Sequence, residues 1–232
     1  MAVIYNSPKI VTDGLVLCLD AANKLSYSGE GTSWTDLAGS NNGTLTNGPT
    51  FSEEKGGSIA FDGTDDEVRV SDLSTGLYTV NIWLKLESEV TSSSSSRGVF
   101  RYKPASDSSQ GALSTGSVTS HVTDETLTIV HQDGSYTRTA IKDDIPSGWN
   151  NICLRWNGST YEFYINGQQK TTYPGTGGHA PFITSDGIFL GENYVTGQPN
   201  FLGDFAIFSI YSRTLSSEEI KQNYNATKGR FQ

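Results

Sequence analysis

The sequence predicts an all-β protein, a two-sheet antiparallel β-sandwich with one short C-terminal helix. Three observations carry this reading. Short runs of β-branched and aromatic residues recur throughout, separated by turn signals such as Asp62-Gly63, Asp133-Gly134, Asn157-Gly158 and Asn166-Gly167. Glycine is abundant at 25 residues, aromatics make up 11% and charged residues only 18%, as many short strands with tight turns require. Only one segment, at the C-terminal end, switches from a strand period to a helix period. No shift of composition divides the 232 residues, so we read one domain at 14–224, an N-terminal arm at 1–13 and a C-terminal tail at 225–232.

Taken in order, Leu15, Leu17 and Leu19 alternate with Val16, Cys18 and Asp20, which gives a strand with apolar residues on both faces. The long segment 21–49 reads as a loop with its own packing, pinned by Trp34 and Leu37, with a turn at 39–43. Ser58 to Phe61 and Glu67 to Val70 pair around Asp62-Gly63. Val80, Ile82, Leu84 and Leu86 alternate with Thr79, Asn81, Trp83 and Lys85, a half-buried strand whose Trp83 either lines a groove on the concave side or packs under an adjacent loop. Serines 92–96 form a loop tip. Strands follow at 98–102, 117–122, 126–131 and 136–141, then a hairpin at 149–156 and 160–165, and further strands at 168–172 and 187–190.

The closing segment organises the rest. From Asp204 to Tyr211 it is nearly continuous apolar and aromatic sequence, too short for a membrane span, and so reads as a central strand covered on both faces. Ser216 with Glu219 three residues later makes a capping box. Leu215 before the cap staples onto Ile220 after it, and Ile220 and Tyr224 share one helix face.

Three motifs in family order, spanning roughly residues 14–224, resemble the laminin-G-like, concanavalin A-like lectin/glucanase superfamily. They are the ending Ile210-Tyr211-Ser-Arg-Thr-Leu-Ser-Ser-Glu-Glu-Ile220, the strand pair Phe61-Asp-Gly-Thr-Asp-Asp-Glu-Val68, and the hairpin Trp149-Asn-Asn-Ile152 with Tyr164-Ile-Asn-Gly167. The resemblance implies a concanavalin A-like jelly roll. It also implies calcium in a hard-oxygen shell, at Asp65, Asp66 and Asp204, with Asp62 as the turn residue. The stretch from Leu215 to Phe231 is further similar to laminin-G-like domains of tailed-phage virion proteins, cyanophages among them. By that similarity the expected role is a non-catalytic capsid decoration, head-fibre or tail-fibre component on the virion surface, assembled in the host cytoplasm. Capsid or tail proteins would be its partners, the two chain ends its anchors, and a homo-oligomer its assembly. The alternative is a stand-alone, calcium-assisted lectin that binds cell-surface glycans.

The residues exclude several other classes. A net charge of −9 with no basic stripe argues against nucleic acid and anionic membrane surfaces. The first ten residues lack the basic start and apolar run of a secretion signal, and Met1 is the only methionine, so the expectation is a natural start without a cleaved leader. Cys18 and Cys153, in apolar strand contexts, read as buried thiols or as a disulfide, and their spacing does not suit zinc. No Glu-x-Asp-x-x-Glu glucanase strand, nucleophile elbow or phosphate loop occurs; Asp65-Asp-Glu67 and Glu87-Ser-Glu89 lie beside a turn and a loop. His121, His131 and His179 lack metal-ligand spacing, although the first two fall on consecutive expected strands. A sugar offers an apolar face and a ring of hydroxyls, and the candidates to meet it are Trp83, Tyr102, Tyr136, Tyr194 and Asn193.

Overall fold

The computed structural model describes residues 9–71, 73, 76, 78–91, 96–102, 109–115, 126–133, 136–171, 173–174, 187–193 and 199–232. Its strands, in chain order, are β1 (Leu15–Asp20), β2 (Ser33–Trp34), β3 (Gly43–Thr46), β4 (Thr50–Ser52), β5 (Ser58–Asp62), β6 (Glu67–Val70), β7 (Thr79–Leu86), β8 (Arg97–Tyr102) and β9 (Ser109–Thr115). They continue with β10 (Leu127–Asp133), β11 (Tyr136–Ile141), β12 (Gly148–Trp156), β13 (Tyr161–Ile165), β14 (Gln168–Gln169), β15 (Tyr173–Pro174), β16 (Ile188–Leu190) and β17 (Leu202–Tyr211). One helix follows, α1 (Ser217–Thr227).

Two antiparallel sheets face each other. The first has eight strands in the order β14-β13-β12-β7-β17-β5-β4, with β1 also paired to β17; the second has nine, β15-β11-β10-β9-β8-β16-β6-β3-β2. The closing strand β17 is central, flanked by β7 on one side and by β5 and β1 in tandem on the other. Between the sheets lie Leu17, Leu19, Ile59, Phe61, Ile82, Leu84, Phe205 and Phe208 from the first and Val68, Val70, Phe100, Leu113, Ile188 and Leu190 from the second. Phe61 meets Phe201 and Phe205 edge-on, at 6.1 and 5.0 Å between ring centroids.

The sequence reading of β7 as half-buried needs correction, because its outer side is covered too. Trp83 is sealed beneath the C-terminal segment: Phe231 stacks on it at 4.0 Å and Tyr224 at 5.8 Å, and its Nε1 donates to Thr227 Oγ1 at 2.8 Å. Residues 225–232 are thus part of the packed protein. Arg230 fastens them, donating to the carbonyls of Lys55 and Gly57 and to Asp20 Oδ1. Alongside, α1 carries the capping box between Ser216 and Glu219, and Ile220 packs with Leu215, Tyr211, Tyr164, Cys153 and Val11. Residues 9–13 lie against the same helix. The Val11 amide donates to Asn223 Oδ1 at 2.8 Å, and the Val11 carbonyl accepts from the Tyr211 hydroxyl at 2.9 Å.

The loop 21–49 also differs from expectation. It contributes β2 and β3, and Leu37 is 39% exposed. Its fastening comes from buried Trp34 and from Asp36, whose carboxylate accepts the amides of Cys18, Ala38 and Asn41 at 2.9, 2.9 and 3.2 Å. Strand β9 was not expected, and the expected strand at 117–122, with His121, lies outside the described residues, as do the side chain of His131 and all of His179. Cys18 and Cys153 are both buried free thiols. They stand in one cross-sheet row, Cys18, Ser209, Asn81, Cys153, three strand spacings or roughly 14 Å apart, beyond the reach of a disulfide. Burial pushes the Cys18 thiol up to about 11 and raises the Cys153 thiol as well, so neither behaves as a reactive thiolate.

Candidate functional site: an acidic turn at the sandwich rim

Two connections cross from one sheet to the other side by side at one rim. The first, through Asn47 and Gly48, links β3 to β4; the second, Gly63 to Asp66, links β5 to β6. Both need left-handed backbone, and Asn47 (φ 67°), Gly48 (φ 119°) and Gly63 (φ 82°) supply it. Between them opens a recess of ≈ 340 Å³ bordered by Asn47, Gly48, Thr50, Ala60, Asp62 and Asp66.

The second crossing brings Asp62, Asp65 and Asp66 together, with one carboxylate oxygen of each within 4.8 Å of the others. Local hydrogen bonds fix this arrangement. The Asp62 amide donates to Asp66 Oδ2 at 2.9 Å, and the Thr64 amide donates to Asp62 Oδ1 at 2.7 Å. From outside the turn, Asn47 Nδ2 donates to the Asp65 carbonyl at 2.9 Å and Asn200 Nδ2 to the Thr64 carbonyl at 3.1 Å. Asn200 is itself held by Arg97 Nη1, which donates to its carbonyl at 3.0 Å. Behind the turn sits Gly191 (φ 87°), where a Cβ would meet the Phe61 ring at 2.6 Å and the Asp66 carbonyl at 2.8 Å; no side chain fits there.

Asp66 is buried while Asp62 and Asp65 are exposed. Burial, and then the charges of Asp62 and Asp65, hold the Asp66 carboxyl above the usual carboxylate range, against the pull of the Asp62 amide. None of the three forms an ion pair with a described residue. Hard oxygen donors with uncompensated negative charge fit calcium and not a thiolate- or imidazole-seeking metal. Asp62, Asp65 and Asp66 are the residues that would hold it.

The other residues singled out from sequence fall elsewhere. Asp204 does not join the group. It lies on β17 opposite Lys85 and Ala60, buried, and accepts the Ser58 hydroxyl at 2.9 Å, so it braces the outer side of the first sheet. Asp62, read as a turn residue only, takes its place. Trp83 is beneath the C-terminal segment and Tyr102 is fully buried in the core, so neither ring is open to a sugar. Asn193 is buried and structural: its amide N–H donates to Asn200 Oδ1 at 3.0 Å and its Nδ2 to the Pro199 carbonyl at 3.3 Å. Tyr136 starts β11, with its side chain outside the described residues, and Tyr194 lies outside them altogether.

A two-sheet antiparallel sandwich with its closing strand at the centre is an architecture of the concanavalin A-like jelly-roll class. The chain belongs to the laminin-G-like family described as the concanavalin A-like lectin/glucanases superfamily, whose model matches residues 62–221. Comparison with curated protein sequences gives no match. Among solved structures the chain is similar to domain 4 of AbnA, an extracellular GH43 arabinanase from Geobacillus stearothermophilus, in complex with arabinotriose. That likeness has a TM-score of 0.68 at 19% identity and covers 90% of this chain and 98% of that one. It is also similar to the receptor-binding domain of a botulinum neurotoxin C/D mosaic (TM-score 0.66, 17% identity, 92% of this chain and 51% of that one). A third likeness is to the ligand-binding domain of botulinum neurotoxin serotype D in complex with N-acetylneuraminic acid (TM-score 0.65, 16% identity, 92% and 51%). The chain thus spans about half the length of the neurotoxin domains.

Proposed function

We propose that this protein is a non-catalytic, calcium-assisted carbohydrate-binding module that acts in adhesion through the rim around Asp62, Asp65 and Asp66. The observation that carries the reading is the convergence of these three carboxylates beside an open, polar-edged recess. A bound calcium ion would supply positive charge and open coordination positions to vicinal sugar hydroxyls. The chain's own residues do the positioning: Asn47 and Asn200 hold the two carbonyls of the turn, Asp66 anchors it from within, and Asn47 and Thr50 offer polar edges to a ligand. The arabinotriose complex supports the reading, since that glycan-bound domain is covered almost end to end.

The non-catalytic part rests on the carboxylates. Glycoside hydrolysis needs a proton-donating acid facing a second carboxylate. Glu67, Glu162, Glu192 and Glu219 are instead each paired to an arginine, at 2.5 to 2.7 Å, and the rim carboxylates lie within 4.8 Å of one another, nearer than the roughly 5–9.5 Å at which a sugar bond is flanked. As the setting we propose the surface of a tailed-phage particle, with capsid or tail proteins as partners, because the segment from Leu215 to Phe231 resembles laminin-G-like virion domains. Since residues 9–13 and 225–232 are both occupied with the sandwich, only residues 1–8 of the N-terminal arm remain as a candidate anchor.

A glycan array on the full chain, run in calcium and in chelator with Asp65→Asn beside wild type, tests the reading. Asp65 is exposed, so this substitution spares the core. The expected result is selective binding that disappears in chelator and in the variant. Blank arrays in both conditions sink the glycan reading and leave co-sedimentation with phage particles to test the virion setting.

A further inference from the structure

The outer face of the nine-stranded sheet carries a row whose chemistry the rim does not use. Three strands each read apolar, other, apolar: Val68-Arg69-Val70 on β6, Ile188-Phe189-Leu190 on β16 and Phe100-Arg101-Tyr102 on β8. The apolar flanks enter the core, so period-2 alternation turns the middle residue outward. Register then aligns the three, with Phe189 opposite Arg69 on one side and Arg101 on the other. The Arg101 guanidinium lies 4.5 Å from the Phe189 ring centroid and that of Arg69 5.8 Å, both in cation–π range.

Each guanidinium is held in place by a glutamate. Arg69 Nε donates to Glu67 Oε1 at 2.7 Å, and Arg101 Nη2 to Glu192 Oε2 at 2.6 Å. Glu67 follows Asp66, and Glu192 follows the Gly191 that backs the acidic turn, so the row continues directly from the rim. One feature goes beyond a solvated pair of salt bridges: the Arg69 side chain is 58% exposed although its ring and carboxylate partners fix it, so its guanidinium is held ready at the surface. A guanidinium fork is shaped for a two-oxygen acceptor. The strands bearing the two arginines are two spacings apart, about 9.6 Å, too far for one small anion to bridge. A ligand using both must carry its acceptors on a rigid frame, as an oligosaccharide does.

We propose that Arg69, Phe189 and Arg101 form a subsite for a carboxylate-bearing saccharide, a uronic or sialic acid residue, adjoining the rim. The proposal rests on the carbohydrate-binding reading but not on calcium. The test is titration of the full chain with trigalacturonate against its methyl ester, and with 3′-sialyllactose against lactose, in calcium and in chelator, with Arg69→Gln and Arg101→Gln beside wild type. Thermal melting checks that the variants fold; the exposed position of Arg69 makes its variant the safer one. At least one acidic probe is expected to bind about tenfold tighter than its neutral counterpart, with the preference lost in Arg69→Gln and weakened by salt. Equal binding of acidic and neutral probes, no binding of either acidic probe, or a preference that survives both substitutions overturns the subsite. The two readings separate cleanly. Calcium-dependent binding of the neutral probes without acidic preference keeps the rim and removes the row, whereas acid-selective, Arg69-dependent binding that persists in chelator keeps the row and removes calcium.

Discussion

The outer faces of the two sheets obey the same alternation and are covered to different extents. On the eight-stranded sheet, Trp83, Ala206 and Ile207 meet Phe231, while Cys153, Tyr164 and Tyr211 meet Leu215, Ile220 and Val11. Even Asn81, Asn151 and Ser209 are buried beneath that cover. On the nine-stranded sheet the outward row of Thr44, Arg69, Phe189 and Arg101 is partly open, whereas the outward Ala112, Ser114, Thr128 and Ala140 of β9, β10 and β11 are buried. Alternation therefore tells which residues share a face but not whether the face is wet. The cover on the first sheet is supplied by segments some two hundred residues apart, and it leaves the rim and the row on β3, β6, β16 and β8 as open surface among the described residues.

The largest effect should come from breaking the cover. Trp83→Ala removes a ring stacked on Phe231 at 4.0 Å and the donor to Thr227, and is expected to cost about 3–5 kcal/mol in denaturant unfolding. Phe189→Ala on the open face should cost only about 1 kcal/mol, since a half-buried ring loses much less transfer energy. If the two substitutions cost the same, the faces do not differ as described.

The sequence made most of the sandwich legible, for reasons that the same comparison explains. Strands with strong local signals, such as Leu15–Asp20, Glu67–Val70 and Leu202–Tyr211, and the capping box at Ser216, declare themselves because propensity, pattern and burial agree. Strand β9, Ser109-Gln-Gly-Ala-Leu-Ser-Thr115, carries little β propensity and is a strand because β8 and β10 pair with it on both sides. The short β2 and β3 likewise hide in a loop held by Asp36. At the site, Asp65 and Asp66 were visible as an acid-rich turn, but the Asp62 side chain looked spent on turn formation. Only the crossing geometry shows that it keeps an oxygen within reach of the other two. Tyr102 and Trp83 misled for one reason: an aromatic residue read one-dimensionally as a platform says nothing of what lies above it. The pattern that marks Phe189 as outward was present in three apolar-flanked triplets, yet it becomes a row only once β6, β16 and β8 are known to be neighbours.

A smaller effect separates the rim from the rest by pH. Burial, with the charges of Asp62 and Asp65, holds the Asp66 carboxyl above its ordinary value, so the folded chain binds that proton more tightly than the unfolded chain. Without calcium, this group's contribution must fall as pH rises from the ordinary aspartate range through the raised value. Asp66→Asn, which keeps an acceptor for the Asp62 amide, should flatten that slope and stabilise the metal-free protein at neutral pH. Melting curves of both chains from pH 4 to 7 in chelator check this, and a variant that melts lower throughout would mean that the Asp62 contact outweighs the repulsion.

The smallest expected effect has the opposite sign and belongs to the covered sheet. Arg213 grips Glu219 at 2.6 Å, with the Ser216 amide assisting, and holds its carboxyl down to about 2. A depressed carboxyl contributes stability above its unfolded value that is lost as pH falls toward the folded one. Glu219→Gln keeps an oxygen for the Ser216 amide, so the capping geometry survives and only the ion pair is removed. Because that pair sits at the surface, the loss should stay below about 1 kcal/mol at neutral pH and shrink further in salt. With the melting curves extended down to pH 2, wild type and Glu219→Gln should converge toward that pH, whereas wild type and Asp66→Asn should converge in the ordinary aspartate range and diverge above it. A large Glu219 effect would mean that the ion pair with Arg213 is what holds α1 in place; a small one leaves Ile220 and the rings over Trp83 as what keeps that face closed.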